Sequence, residues 1–156
     1  MAPQLWLLRH GEAVPHESKP DDERELTPRG RRQGEAAGLA LAKLGLEFAA
    51  CYTSPKLRAA ETAQLACRAL NIEPTPAVSL GGRFDREDAL ELLHPHGEDD
   101  RILAVGHEPT FSQVVYDMTG ARVDFKKGGV AGLRVDRTAS LLLVLLRPRE
   151  LEAIAA

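Results

Sequence analysis

An α/β fold with a largely parallel sheet is predicted from the order of apolar runs along the chain. Short apolar runs, typical of buried strands, alternate three times with longer segments that carry helix-start and helix-stop residues. A pair of apolar runs at 130–135 and 139–146 follows. Such alternation is typical of parallel strands joined by helical crossovers. With 156 residues the chain can bury one sizeable core, so we expect 1–156 to form a single domain.

The first half of the chain contains two predicted strand and helix units. Thr27 and Ser54 each precede a proline, the pattern of an N-cap followed by proline at the first helical position. Gly45 and Asn71 are expected to end the two helices. The predicted elements are a strand at 4–9, a helix at 28–44, a strand at 47–53 and a helix at 55–70.

Three glycines recur at intervals of four residues within the first predicted helix. Gly30, Gly34 and Gly38 therefore share one helix face. Because glycine weakens a helix interior, we expect this face to gain a close approach to a neighbouring element.

The second half begins with an irregular stretch at 72–84, with a short strand expected near Ala77-Val78. The elements predicted after it are a helix at 85–93, a strand at 101–106, a helix ending at Gly120, a hairpin of strands at 130–135 and 139–146, and a short tail. The second hairpin strand is apolar on both faces, so we expect it to lie inside the sheet. Arg147-Pro148 is expected to stop this strand.

Residues 12–26 form a polar stretch without an apolar period, and they leave directly from His10. The prediction for such a stretch is a solvated, mobile loop. The alternative is a flap that covers a site at His10.

Composition narrows the classes of function. The formal net charge of −3 disfavours a general binder of nucleic acid or of anionic membranes, although it leaves room for a local basic pocket. No apolar stretch is long enough for a signal peptide or a membrane span. Cys51 and Cys67 lack metal or redox spacing and are expected to be small core residues. We expect a cytoplasmic protein without disulfides.

Candidate site residues follow the carboxyl ends of the predicted strands. Arg9 and His10 end the first strand, Arg58 lies in the opening turn of the helix after the second, and His107 follows the 101–106 strand. The carboxyl ends of parallel strands share one sheet edge, where ligands bind in open α/β sheets. Guanidinium forks and helix N-termini suit phosphate oxygens, and a neutral imidazole can attack phosphorus. Gly11 is expected to let the ligand approach the backbone closely.

The arrangement predicts a pocket for a compact dianion that needs neither a metal nor a cofactor. His94 and His96 are close in sequence, but no further ligand completes a metal set. The loop histidines His16, His94 and His96 are not expected to act directly.

Three blocks of this sequence resemble the histidine phosphatase superfamily, which includes phosphoglycerate mutases and acid phosphatases. The blocks are Leu7-Leu8-Arg9-His10-Gly11-Glu12, Ser54-Pro55-Lys56-Leu57-Arg58-Ala59-Ala60-Glu61-Thr62-Ala63 and Val105-Gly106-His107-Glu108-Pro109. The short length resembles the SixA-type branch, the phosphohistidine phosphatases. The resemblance implies a three-layer α/β/α sandwich with a mostly parallel central sheet. It also implies that His10 is the phosphorylated nucleophile and that Arg9, Arg58 and His107 bind the phosphoryl oxygens.

The general acid is left open by the sequence. An alkoxide leaving group needs a proton, usually from a carboxylic acid. Five carboxylates are candidates, although each alone is more typical of an ordinary surface position: Glu12, Asp85, Glu87, Asp88 and Glu108. An imidazole, with a reference pKa of about 6.5, leaves without such help.

The predicted substrate is therefore phosphohistidine in a phosphocarrier or phosphorelay protein. The alternatives are a phosphatase for small phosphomonoesters and a non-catalytic phosphate-binding adaptor. We expect a monomer whose partner is the phosphorylated protein or a small phosphoester, with no nucleic-acid or membrane partner.

Overall fold

A computed structural model describes residues 2–156 and contains one six-stranded sheet. The strands are β1 (Gln4–Arg9), β2 (Ala50–Thr53), β3 (Pro74–Pro76), β4 (Arg101–Gly106), β5 (Val130–Arg134) and β6 (Leu141–Leu146). Their order across the sheet is β3-β2-β4-β1-β5-β6. Strands β1 to β4 are mutually parallel where they pair, and β5 and β6 are antiparallel additions. The predicted α/β class with a mostly parallel sheet is confirmed.

Helices cover both faces of the sheet. They are α1 (Pro28–Lys43), α2 (Leu57–Leu70), α3 (Arg86–Leu93), α4 (Thr110–Thr119) and α5 (Pro148–Ala155). Two 3-10 turns lie at Asp21–Glu23 and Val78–Gly81. None of the helices within residues 2–156 is long and apolar enough to cross a membrane.

Each face of the sheet has its own apolar core. Alternate β1 side chains point to opposite faces, so that Leu5 and Leu7 pack with α3 and α4. Trp6 and Leu8 pack on the other side with α1, α2 and α5. Three layers result, as the resemblance implied.

The register of the sheet places three strand ends at one edge. Arg9 at the end of β1 pairs with Gly106 at the end of β4, and Thr53 at the end of β2 pairs with Val105. The residues that follow these strands therefore emerge side by side, as predicted.

The glycine face of α1 packs closely on its neighbours. A Cβ atom at Gly30 would overlap the backbone of Glu12, and one at Gly38 would overlap the backbone of Ala66 in α2. A Cβ at Gly34 would instead lie 3.4 Å from the side chain of Leu65, an ordinary van der Waals distance. The expected close approach is confirmed, and it is strictest at the two outer positions.

The prediction that 139–146 lies inside the sheet is wrong, because β6 is an edge strand. Its two faces are apolar because each contributes to a core: Leu142 and Leu145 pack on one side, and Val144 and Leu146 on the other. Apolar residues on both faces of a strand therefore indicate that helices cover both faces of the sheet. They do not indicate that the strand has a neighbouring strand on each side.

The expected tail is also wrong, because residues 148–155 form helix α5. Arg147-Pro148 was interpreted only as a strand stop, but Pro148 occupies the first turn of this helix. Leu151 is fully buried in the core beneath α1, and Ile154, three residues later, packs beside it.

Boundaries shift in three other places. Strand β2 begins at Ala50 rather than at 47, since Phe48 turns inward to pack edge-on against Trp6. The short strand lies at 74–76 rather than near Ala77-Val78. Helix α2 begins at Leu57, so Ser54 is not its N-cap.

Candidate active site

His10 follows β1 and is held in one orientation by the backbone carbonyl groups of Gly106 and Gly11. Its amide donates to the carbonyl oxygen of Gly106 at 3.0 Å, which fixes it beside the end of β4. Its ring nitrogen Nδ1 lies 2.7 Å from the carbonyl oxygen of Gly11. Because a carbonyl oxygen only accepts, Nδ1 carries the ring proton. Nε2 therefore keeps the lone pair that a nucleophile needs.

Gly11 is required by the packing of the chain. A Cβ atom at this position would lie 2.5 Å from the carbonyl oxygen of Gly30 in α1. The Gly11 amide donates to Thr62 Oγ1 at 3.1 Å, and that hydroxyl donates to the carbonyl oxygen of Arg58 at 2.7 Å. The close approach is thus to a helix backbone, which corrects the expectation that Gly11 makes room for a ligand.

Arg58 is buried beside His10. Its Nη1 donates to the carbonyl oxygen of Asp21 at 2.7 Å, and its Nη2 lies 3.3 Å from an oxygen of the Asp21 carboxylate. The Nε atom is buried and has no hydrogen-bond partner within residues 2–156. An N–H donor in that state is available to an anion.

Arg9 has a similar free donor. Its Nη1 donates to the carbonyl oxygen of Phe125 at 2.6 Å, while its buried Nε has no partner among the described residues. Burial lowers the pKa of Arg9, and the nearby carboxylates of Glu108 and Asp124 act in the opposite direction.

His107 follows β4 and faces His10. The two ring centroids are 5.1 Å apart. The Nε2 atom of His107 lies 2.7 Å from Ser54 Oγ, which also accepts from the amide of Lys56 at 3.2 Å. If the Ser54 hydroxyl donates to Nε2, the proton of His107 sits on Nδ1, which is buried without a partner within residues 2–156. His107 then offers one N–H to a bound anion.

Both imidazoles are held neutral. Burial, the largest cause, lowers the pKa of His10 to about 3, with His107, Arg58 and Arg9 adding to the shift. The hydrogen bond to Gly11 acts in the opposite direction without overcoming it. Burial also lowers the pKa of His107 to about 4, and the charges of Arg58 and Lys56 act in the same direction. Near pH 7 the free site therefore contains a neutral, nucleophilic His10.

The four predicted residues Arg9, His10, Arg58 and His107 line one cavity of about 190 Å³. The four side chains therefore lie together, as the order of the strands predicts. The other lining residues are Ala13, His16, Arg24, Glu108 and Lys127. His16, which is not expected to act directly, lies at this cavity. His16 follows His10 by six residues in the loop that folds back over the cavity.

The loop at 12–26 is exposed to solvent over residues 15–23, as predicted, while Arg24 and Asp21 contact the site. Arg24 is buried and donates to the carbonyl oxygen of Val14 at 2.9 Å and to Asp21 Oδ1 at 3.3 Å. Asp21 also accepts from Lys56 Nζ at 2.9 Å, in addition to its contacts with Arg58. Lys56, hydrogen-bonded to Asp21, holds the pKa of this carboxyl well below its ordinary range. The sequence did not single out Asp21 and Arg24, because nothing in the polar loop indicates which residues turn inward, or Lys56, whose contact with Asp21 joins segments 35 residues apart.

Only one of the five candidate acids lines this cavity. Asp85 and Asp88 form the capping box at the start of α3, and Glu87 lies between them on the exposed surface. Glu12 accepts from the Thr27 hydroxyl at 3.1 Å and pairs with Arg29. Glu108 lines the cavity, and its Oε1 accepts from the amide of Ser112 at 2.8 Å.

Known proteins resemble this chain in sequence. Residues 5–81 match the histidine phosphatase superfamily, branch 1. An uncharacterized protein of Picosynechococcus is 32% identical over 139 residues, which cover 84% of each chain. The mitochondrial serine/threonine-protein phosphatase Pgam5 of Drosophila simulans is 33% identical over 124 residues. That match covers 79% of this chain but only 38% of the Pgam5 sequence.

Solved structures resemble the chain in fold. The protein histidine phosphatase SixA, solved with tungstate, superimposes with a TM-score of 0.83 at 23% identity. The match covers 95% of this chain and 99% of SixA. The two chains therefore share one architecture from end to end.

Proposed function

This chain belongs to the histidine phosphatase superfamily, and from that premise we propose that it hydrolyses phosphohistidine on a partner protein through a phosphorylated His10. The observation that carries the proposal is a buried, neutral His10 surrounded by cationic side chains with free donors. That combination supplies both a nucleophile and charge for phosphoryl transfer.

The phosphoryl group binds between the two arginines and His107. In this proposal its oxygens accept from the Nε donors of Arg9 and Arg58 and from Nδ1 of His107, three buried atoms that have no partner among the described residues. Such donors stabilise the charge that spreads over the equatorial oxygens during transfer. No metal is needed in this step, since the positive charge comes from side chains.

The first displacement moves the phosphoryl group onto His10. Nε2 of His10 attacks phosphorus, the bond between phosphorus and the substrate nitrogen breaks, and the departing imidazole takes up a proton from solvent. The proton on Nδ1 of His10 stays hydrogen-bonded to the carbonyl oxygen of Gly11, so the ring keeps its orientation. Water then attacks the phosphorylated His10, which releases inorganic phosphate and restores the neutral ring.

The leaving group favours phosphohistidine. The departing imidazole, with a reference pKa of about 6.5, needs far less protonation than an alkoxide. Glu108, the candidate acid at the cavity, already has one oxygen bonded to the start of α4. Two of the similar proteins are named for protein substrates, Pgam5 as a serine/threonine-protein phosphatase and SixA as a protein histidine phosphatase.

A phosphomonoesterase is the second candidate, because Glu108 lines the cavity. In that reaction the Glu108 carboxyl would donate a proton to the departing alkoxide. Proton donation by Glu108 would raise the rate most for substrates with poor leaving groups, such as alkoxides.

The proposal is tested by turnover and by trapping. The full chain is assayed against a histidine-phosphorylated protein and a set of phosphorylated metabolites, and ³²P is sought on the enzyme after acid-free quenching. We expect the phosphohistidine protein to be the best substrate and label to appear on His10. His10→Ala should abolish both signals, whereas His94→Ala, at an exposed loop histidine, should retain them. Turnover by His10→Ala, or a metabolite preferred over the protein, would contradict the proposal.

A further inference from the structure

A second, larger cavity lies beside the cavity of about 190 Å³ that His10 lines, which we call the phosphate site. Its volume is about 610 Å³, and it shares Arg9 and Lys127 with the smaller cavity. We call it the basic cavity, because six cationic side chains line it against two carboxylates. The cations are Arg9, Arg29, Lys126, Lys127, Arg147 and Arg149; the carboxylates are Glu12 and Glu152.

The charge of the basic cavity contrasts with the rest of the molecule. The whole chain has a formal net charge of −3, yet this surface carries an excess of cations. The cations come from the end of β1, the first turn of α1, the segment before β5 and the first turn of α5. Residues far apart in sequence therefore converge on one side of the phosphate site.

Half of these cations are free or nearly free to meet a ligand. Arg9 and Lys127 make no ion pair within residues 2–156, and the Arg149 guanidinium comes no nearer than 4.0 Å to Glu150. Lys126 pairs with Asp124 at 2.9 Å and Arg147 with Glu150 at 2.7 Å, but both cations are more than half exposed, so these pairs are weak. Arg29 pairs with Glu12 at 3.5 Å, a weak contact at a side chain that is 67% exposed.

We infer that the basic cavity holds an acidic segment of the protein substrate, next to the phosphorylated residue. This inference rests on the proposed function, since it assigns the partner surface for the same site. A polypeptide that leaves the smaller cavity passes Arg9 and Lys127 and enters the larger one. Asp and Glu side chains along that polypeptide then meet Arg29, Lys126 and Arg149.

A small second anion fits this surface less well. Sites for small ligands use a few converging polar groups that bury most of the ligand. Here the side chains of Lys126 and Arg149 are 55% and 77% exposed. Exposed cations spread over a wide cavity instead suit an acidic polypeptide, which they steer and orient by charge.

The test removes charge from the basic cavity without touching the phosphate site. The triple variant Arg29→Gln/Lys126→Gln/Arg149→Gln leaves Arg9 and Lys127 intact, and it spares Arg147, which caps α5. The control Arg68→Gln/Arg134→Gln/Arg137→Gln removes the same charge from exposed positions outside both cavities. Three substrates are compared: phosphoramidate, a phosphohistidine peptide with Asp and Glu flanks, and the same peptide with Asn and Gln flanks.

We expect the acidic peptide to have a kcat/KM about tenfold above that of the neutral peptide at low salt. The cavity variant should lose this preference and the control variant should keep it, while all three proteins hydrolyse phosphoramidate alike. High salt should also erase the preference, because the cations are exposed. Equal kcat/KM for the two peptides, or equal losses in both variants, would overturn the inference.

A binding measurement separates this inference from the proposed function. If the enzyme hydrolyses metabolite phosphates but neither phosphohistidine peptide, the proposed function fails. Fluorescence anisotropy with the labelled, unphosphorylated acidic peptide then still decides the docking surface. Weaker binding to the cavity variant than to the control supports it. Equal binding to the two variants overturns it.

Discussion

Glu108 is the residue on which the choice of substrate class depends. It alone among the five candidate carboxylates lines the phosphate cavity, and its Oε1 is bonded to the amide of Ser112. The other four hold helix starts or lie on the surface, so their positions explain why sequence spacing did not single out an acid.

Glu108→Gln separates the two candidate functions by leaving group. For a phosphohistidine phosphatase we expect kcat on the phosphohistidine protein to change less than about threefold, because imidazole leaves without an acid. For a phosphomonoesterase, kcat on an alkyl phosphate should fall by about 100-fold or more while an aryl phosphate is spared. Steady-state kinetics on all three substrates is the measurement. A large loss on phosphohistidine would contradict the proposed mechanism.

Helix α1 illustrates how a repeated residue can have unequal roles. A Cβ atom at Gly38 would overlap the backbone of Ala66, which cannot move aside. A Cβ atom at Gly34 would lie 3.4 Å from the side chain of Leu65. The sequence predicted the close approach from their spacing, but it did not distinguish the positions.

The two glycines give a matched pair of substitutions. Gly34→Ala should leave the free energy of unfolding unchanged or raise it by up to about 1 kcal/mol, because alanine favours the helix. Gly38→Ala should lower it by about 2 kcal/mol or more, because the methyl group forces α1 and α2 apart. Urea denaturation of both variants at pH 7 checks the difference. A more stable Gly38→Ala protein would show that the packing is looser than described.

The loop at 12–26 places the carboxylate of Asp21 beside the phosphate site. Asp21 contacts Lys56, Arg24 and Arg58, so three cations share one negative charge beside the cavity. A phosphate dianion in the cavity is repelled by that charge and competes for the same arginine.

Asp21→Asn removes the charge and keeps a hydrogen-bonding side chain. We expect the inhibition constant of inorganic phosphate to fall about fivefold at low ionic strength, with a smaller change at high salt. Asp22→Asn is the control, since Asp22 is 78% exposed and lies 3.8 Å from Lys56. Weaker phosphate inhibition in Asp21→Asn would mean that Asp21 chiefly positions the loop.

At the scale of the whole molecule, the site lowers stability in acid. His10 and His107 are buried and neutral, with pKa values of about 3 and about 4. In the unfolded chain each imidazole binds its proton near pH 6.5. Between these values the unfolded state holds more protons, so the free energy of unfolding decreases as the pH falls from about 6.5 towards 3.

The His10→Gln variant measures this linkage. Between pH 7 and pH 4.5 the wild-type chain should lose about 2 kcal/mol more of its free energy of unfolding than the variant. Urea denaturation of both proteins across that range is the experiment. Parallel curves would show that His10 titrates normally and is not held neutral by burial.

The sequence by itself determined the fold class, and it placed Arg9, His10, Arg58 and His107 together at one edge of the sheet. It could do so because apolar runs report burial, and because the carboxyl ends of parallel strands share one edge whatever their exact spacing. Local patterns of this kind can be recognised in the sequence without knowledge of the long-range contacts.

Only the tertiary structure decided the position of β6, the role of Gly11, the inward turn of Asp21 and the location of Glu108. The apolar pattern of β6 indicates that layers of helices cover both of its faces, but it does not indicate which strands lie beside it. Gly11 packs on a helix that begins 17 residues later, and Asp21 meets an arginine 37 residues away. These features depend on contacts between distant segments, which no local pattern encodes.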